Sequence, residues 1–325
     1  MESLPSSSTT SNSKSIIDSG ERNWLDLPRD AVLSIFRKLD AIDLLVRAHN
    51  VCTTWRKISK DPFLFRTINM PNLGEPDYQL DLETLCQRAV DYSCGHIIDI
   101  NIEYFGTDDL LHRIANSASH LQRLRLASCW SISDEGLCDA AEKFPCLEEL
   151  DISISNLSDR LFEPIGRRCP RLKTLKFNSQ GYRHPHIQYD DDDEDAYDDN
   201  EAFAIAKYMP GLRHLQLIGN EMTNDGLVAL LDGCPHLESL DIRRCFNVNL
   251  VGTLGKRCKE QIKYFRLPHD ATDDYPFQTS ECDYGSPVED DADESDLMSD
   301  YDYDYEDYDD FLGEGDFSDD NPFTF

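Results

Sequence analysis

The chain has 325 residues with 31 Lys and Arg, 63 Asp and Glu, and a formal net charge of −32 at pH 7. Its hydrophobic content of 40% supports a sizeable core in one to three domains. The negative charge is concentrated, with 22 acids and no Lys or Arg in residues 270–325 and eight acids in 190–199; 33 acids against 31 basic residues remain elsewhere, a near-neutral body that offers nucleic acid no basic patch.

Residues 1–22 are Ser- and Thr-rich with only Ile16 and Ile17 as an apolar pair, so a disordered segment without the run of a secretory signal is expected. No stretch is long and apolar enough for a transmembrane helix. The eleven cysteines are odd in number and include no Cys-x-x-Cys pair, which points to free thiols in a reducing compartment, cytosol or nucleus.

Residues 23–68 read as a compact helical block. Leu27-Pro28 opens a stretch whose apolar residues Val32, Leu33, Ile35, Phe36 and Leu39 recur at helical spacing, with Pro where a first turn tolerates it. Leu44, Leu45 and Val46 follow, then Val51, Cys52, Trp55 and Ile58, which makes three short helices. A segment this small carries more large apolar side chains than it can bury alone, so part of its surface is expected to meet a partner.

This block resembles an F-box, the motif by which substrate receptors dock onto the Skp-type adaptor of cullin-based ubiquitin ligases. Leu27-Pro28 matches the opening Leu-Pro, Ile35 and Leu39 the first helix, Leu44 the second, and Val51-Cys52 with Trp55 the Val-Cys-x-x-Trp signature. Leu64-Phe65 departs conservatively from the frequent Leu-Trp ending. The resemblance implies adaptor contact through Leu27, Pro28, Ile35, Leu39, Leu44, Val51, Cys52 and Trp55, with cullin and RING subunits reached through the adaptor.

Residues 69–95 read as a linker, Pro71 to Pro76, and then the helix of an incomplete first repeat. From 96 to 268 the pattern L-x-x-L-x-L begins at Ile97, Leu121, Leu147, Leu172, Leu212, Leu237 and Ile262, intervals of 24, 26, 25, 40, 25 and 25. Each core reads as a short strand and each following stretch as a helix, so an α/β solenoid is expected, a curved parallel sheet backed by helices. Ser133-Asp134, Ser158-Asp159 and Thr223-Asn224 are helix-capping pairs, and Pro145, Pro170, Pro210 and Pro235 follow the helices. Cys94, Cys169 and Cys234 sit three residues before a repeat start, a core position, and Cys129 and Cys245 eight after one. These phased cysteines are therefore read as structural thiols and not metal ligands. They resemble the cysteine-containing class of leucine-rich repeat, and the whole arrangement resembles the plant F-box/leucine-rich-repeat receptors with acidic tails.

Side-chain alternation places the second, fourth and sixth positions of each unit on the concave face. These are Asp99, Asn101 and Glu103; Arg123 and Arg125; Glu149, Asp151 and Ser153; Thr174, Lys176 and Asn178; His214 and Gln216; Ser239, Asp241 and Arg243; then Tyr264 and Arg266. A protein substrate is expected there, with Arg123, Arg125, Lys176, Arg243 and Arg266 meeting acidic or phosphorylated groups, and Asp151, His214, Asp241 and Tyr264 among the contacts.

The interval of 40 marks an acidic insertion at about 181–199, read as a solvated loop beside that face. Residues 269–325 are read as a disordered acidic tail, either solubilising or folded back on the basic rungs in competition with substrate. Asp307 stands where an EF-hand loop needs Gly, so no calcium site is expected, nor any other metal or cofactor. There is no Gly-Lys phosphate loop, G-x-S-x-G or H-E-x-x-H, so a non-catalytic binding protein of a ligase, without nucleic-acid or membrane partners, is the favoured reading. Two others stay open: a histone- or basic-protein binder like the acidic leucine-rich nuclear phosphoproteins, and an F-box scaffold outside a ligase.

Overall fold

A computed structural model of the protein describes Trp24 and residues 27–71, 80–179 and 198–277. The Ser/Thr-rich terminus, most of the linker, the insertion as far as 197 and the tail from 278 lie outside the described residues.

Helix α1 (Arg29–Phe36) starts where the Pro28 carbonyl accepts from Ala31 and Val32 N–H at 3.0 and 3.2 Å, and it buries Val32, Leu33 and Phe36. A π-helical turn (Asp43–Ala48) runs directly into α2 (His49–Val51). The Cys52 sulfur then caps α3 (Thr53–Ile58) by accepting the Trp55 N–H at 3.4 Å. The Val-Cys-x-x-Trp spacing thus has a local cause: it sets cap and Trp one helical turn apart. A short 3₁₀ turn, Pro62–Phe65, closes the block.

The block leads directly into the sheet. Strand β1 (Thr67–Met70) follows at once and pairs in parallel with β2 (Asp99–Glu103), so the boundary expected at 68/69 falls inside a strand. Phe65 is fully buried, its ring 5.7 Å from Tyr92 at the end of α4 (Leu82–Tyr92). The helical block and the solenoid therefore share one continuous core.

The solenoid continues with α5 (Asp108–Ser117), β3 (Arg123–Ala127), α6 (Asp134–Ala141), β4 (Glu149–Ser153), α7 (Phe162–Arg168) and β5 (Thr174–Asn178). It ends with α8 (Asn200–Tyr208), β6 (His214–Gln216), α9 (Asn224–Gly233), β7 (Ser239–Asp241), α10 (Thr253–Gln261) and β8 (Tyr264–Arg266). All eight strands form one parallel sheet in chain order. Register carries Ile68, Ile100, Leu124, Leu150, Leu175, Leu215, Leu240 and Phe265 into a single apolar row facing the helices. Each fully buried member of such a row contributes about 1.5–3 kcal/mol.

Two devices join the rungs. Tyr104, Ser128, Ile154, Gly219 and Arg244, each seven residues after a repeat start, leave the strand at positive φ, and their N–H groups donate to the next unit at 2.8–2.9 Å. On the helical side, Asp108 accepts the Ser133 N–H and Oγ at 2.9 and 2.7 Å, Asp134 does the same for Ser158, and Asp199 for Thr223. Those Ser and Thr residues cap their own helices in turn. Asp199, expected within the acidic insertion, therefore belongs to the solenoid framework.

The thiols follow the register with one correction. Cys129, Cys169, Cys234 and Cys245 are buried, but Cys94 is exposed at φ 48°, because the first unit turns one residue earlier and buries Ser93 instead. Burial pushes the Cys129 and Cys234 thiols up to about 11 and those of Cys169 and Cys245 to about 12.

Candidate functional site

The helical block presents an apolar surface. Leu27, Ile35 and Val51 are exposed, Val51 to 60%, although each is a residue that normally seeks a core. Trp24, Leu27, Val32, Thr54, Trp55 and Ile58 border a cleft of about 520 Å³. Trp55 stands edge-on to Phe36 at 5.1 Å and to Trp24 at 6.3 Å between ring centres, so its orientation is fixed from both sides. Pro28 is exposed at the head of α1.

The expected adaptor residues divide by burial. Leu27, Pro28, Ile35 and Val51 face outward, whereas Leu39, Cys52 and Trp55 are partly covered. Leu44 is the correction: at 1% exposure it belongs to the core, because the π-helical turn directs it inward with Leu45 and Ala48. It supports the surface from beneath.

The concave face carries the residues that alternation places there, in two rows that run across the sheet. One holds Asp99, Arg123, Glu149, Thr174, His214, Ser239 and Tyr264, and the other Asn101, Arg125, Asp151, Lys176, Gln216, Asp241 and Arg266. Its cations, however, already have carboxylate partners. Arg123 donates to Asp99 at 2.7 Å, Arg125 to Asp151 at 3.0 Å, and Lys176 to Glu149 at 2.8 Å and Asp151 at 3.4 Å. Side-chain bonds continue from Asp151 through Ser153, Asn178 and Gln216 to Asp241. The result is a charge-balanced, hydrogen-bonded floor.

Three expected substrate contacts lie within that floor. Asp151 and Asp241 are buried, and Arg243 is 1% exposed, gripped by Asp241 through Nε and Nη2. Charges this enclosed hold their place by mutual pairing, and of the Arg243 nitrogens only Nη1 is turned away from Asp241. His214 and Tyr264 stay exposed.

Two features add to the sequence reading. A cleft of about 380 Å³ opens between β1 and β4, bordered by Asn69, Asp99, Asn101, Arg123, Arg125 and Asp151. Within it Asn101 donates to Asn69 and Glu103, while its own Oδ1 is buried without a hydrogen-bond partner. The signal for β1 was present, since Phe65, Ile68 and Met70 repeat the solenoid spacing.

The second feature is the start of the tail: of the two readings, disorder from 269 and a fold-back on the basic rungs, residues 269–277 follow the fold-back. Residues 271–277 form a strap on the sheet. Arg243 Nη1 donates to the Ala271 carbonyl at 2.8 Å and to Asp274 at 2.6 Å, and Arg266 Nη1 to the other oxygen of Asp274 at 2.6 Å. The Arg266 hydrogen bond, with that of Arg243, holds the Asp274 carboxyl down at about 2. Tyr275 is buried at 5% exposure. Among the described residues no group of His, Cys, Asp and Glu is arranged to hold a metal ion.

Three family profiles match the chain: F-box-like over residues 24–71, the leucine-rich repeats of an FBD-associated F-box protein over 100–190, and a leucine-rich repeat over 210–231. Among curated proteins of Arabidopsis thaliana, the chain is 45% identical to F-box protein SKIP19 over 304 residues, covering 93% of this chain and 94% of that one. It is 48% identical to F-box/LRR-repeat protein 23 over 253 residues, covering 78% of this chain and 55% of that longer protein. With F-box/LRR-repeat protein 22 the identity is 44% over 257 residues, covering 78% and 80%.

Proposed function

The chain belongs to the plant F-box/leucine-rich-repeat family, and from that membership we propose that it is the substrate-recognition subunit of an SCF-type E3 ubiquitin ligase. Proteins of this family are typically non-catalytic adaptors, and an F-box serves protein–protein interaction. On this reading residues 24–66 hold the Skp-type adaptor, which brings the cullin and RING subunits. The concave face holds a protein substrate, and ubiquitin transfer proceeds by proximity, with the chemistry in other subunits.

The observation that supports the reading is the exposure of Leu27, Pro28, Ile35 and Val51, apolar residues left uncovered on a block whose other large apolar side chains are mostly covered. On the substrate side, the cleft between β1 and β4 supplies polar groups from Asn69, Asp99, Arg123 and Arg125. Free thiols suit a nuclear or cytoplasmic setting.

The test is calorimetric titration of the purified chain with a purified Skp-type adaptor. Leu27→Ala with Pro28→Ala abolishes binding and leaves the melting midpoint unchanged, because both residues face solvent. Retained binding by the double variant overturns the assignment. Capture of histones without adaptor supports the basic-protein binder instead.

A further inference from the structure

The concave face already holds a ligand, supplied by the chain itself. Asp274 places one carboxylate oxygen on Arg243 and the other on Arg266, each at 2.6 Å. Arg243 is fixed from behind by three bonds to Asp241, so its Nη1 is aimed at the strap before the strap arrives. The same Nη1 holds the Ala271 carbonyl, which reads the peptide backbone as well as the acid. A turn, Tyr275 N–H to the Thr272 carbonyl at 2.8 Å, then directs the next side chain into the sheet.

Tyr275 is the anchor. Its ring is buried, with Phe277 edge-on at 5.7 Å, and its hydroxyl lies enclosed beside Ser153 at the end of β4, in reach of the Asp151, Arg125 and Arg243 charges. The hydroxyl has no hydrogen-bond partner meeting ordinary geometry. The strap occupies a receptor of defined chemistry: a buried Arg with a half-exposed Arg for a carboxylate, a guanidinium donor for a backbone carbonyl, and an aromatic hollow one residue further on.

We infer that this site recognises an acidic segment of a protein substrate bearing an Asp-Tyr pair, and that Asp274-Tyr275 is the resident occupant that substrate displaces. The inference rests on the concave face being the substrate side of the receptor, and it names the substrate class. It also accounts for the shared carboxylate: Asp274 pairs with Arg266 and with the one Arg243 nitrogen that Asp241 leaves over, so departure of the strap frees Arg266 and Arg243 Nη1 for another acid. The intramolecular occupant benefits from high effective concentration, which sets a threshold that only a matching segment passes.

The experiment uses a fluorescently labelled peptide of the resident sequence, Ala-Thr-Asp-Asp-Tyr-Pro-Phe, titrated into the full chain and followed by anisotropy. Asp274→Ala with Tyr275→Ala empties the site, and the peptide then binds about tenfold tighter than to the unaltered chain. Adding Arg266→Ala to the emptied chain, or replacing the second Asp of the peptide by Ala, weakens binding about tenfold. Asp274→Asn, which keeps the buried ring, gives a second reading with a gain of about threefold. Equal affinity for the emptied and unaltered chains, or no binding to either variant, overturns the inference. Adaptor titration of the same samples separates the two claims: full adaptor binding with no peptide binding sinks the inference alone, whereas loss of adaptor binding by the unaltered chain sinks the receptor reading.

Discussion

The Asp-to-Ser link between rungs predicts a specific non-additivity at Gly136. A Cβ added there would lie 2.0 Å from Asp108 Oδ1 and 2.2 Å from its Cγ. Asp108 meanwhile accepts two bonds from Ser133 in a solvent-exposed setting, so Asp108→Ala costs about 2 kcal/mol, roughly 1 per bond. Gly136→Ala must push Asp108 off Ser133 or strain the helix, at a net cost of about 2 kcal/mol. With Asp108 already Ala the obstruction is gone, and Ala in place of Gly inside α6 gains about 1 kcal/mol of helix propensity. The double variant therefore loses only about 1 kcal/mol where addition gives about 4, a coupling of about 3 kcal/mol. Urea unfolding followed by circular dichroism measures all four chains. Additivity within about 0.5 kcal/mol refutes the close approach of Asp108 to Gly136.

Glu201 is held protonated by burial, with Asp198 adding to the effect, and its carboxyl is raised to about 8. The folded state then keeps a proton that the unfolded state loses above its ordinary value of 4.5, so stability present below that value declines as pH rises toward 8. Glu201→Gln flattens this dependence: the variant gains on the unaltered chain between pH 5 and 8 in urea midpoint, and parallel curves contradict the assignment. Iodoacetamide at about pH 8, read by peptide mass spectrometry, labels exposed Cys94 well before Cys86, Cys169 and Cys245, whose thiols burial pushes up to about 12. Equal labelling rates would show that those three are not enclosed. Leu44→Ala lowers the melting midpoint as a core truncation of about 2–5 kcal/mol, unlike Leu27→Ala, which leaves it in place. Matching midpoints for the two would remove the division between supporting and facing residues.

The solenoid was legible because L-x-x-L-x-L states both the strand period and the buried side at once, and seven of the eight strands carry it in open form. The eighth, β1, uses Phe65, Ile68 and Met70 at the same spacing, but these residues also close the helical block and were read as its end. Alternation placed the concave rows correctly and said nothing about which charges would be enclosed. Arg243 shows why: one carboxylate that buries it is two residues away and the other, Asp274, is 31 away across the sheet. Leu44, an adaptor contact by resemblance alone, lies in the core because the π-helical turn directs it inward, which a motif match does not convey. The Ser/Thr-Asp pairs announced helix caps, yet only the stacked rungs reveal that Asp134 reaches forward to the Ser158 cap, as Asp108 does to Ser133.

The central claim is a bridge between a ligase adaptor and a substrate, and affinity capture from plant-cell extract tests it most directly. The tagged chain is compared with its Leu27→Ala, Pro28→Ala double variant. The account predicts that the unaltered chain brings down the Skp-type adaptor together with cullin, and that the variant, equally folded, brings down neither. Adaptor and cullin captured equally by both chains, or by neither, would contradict it.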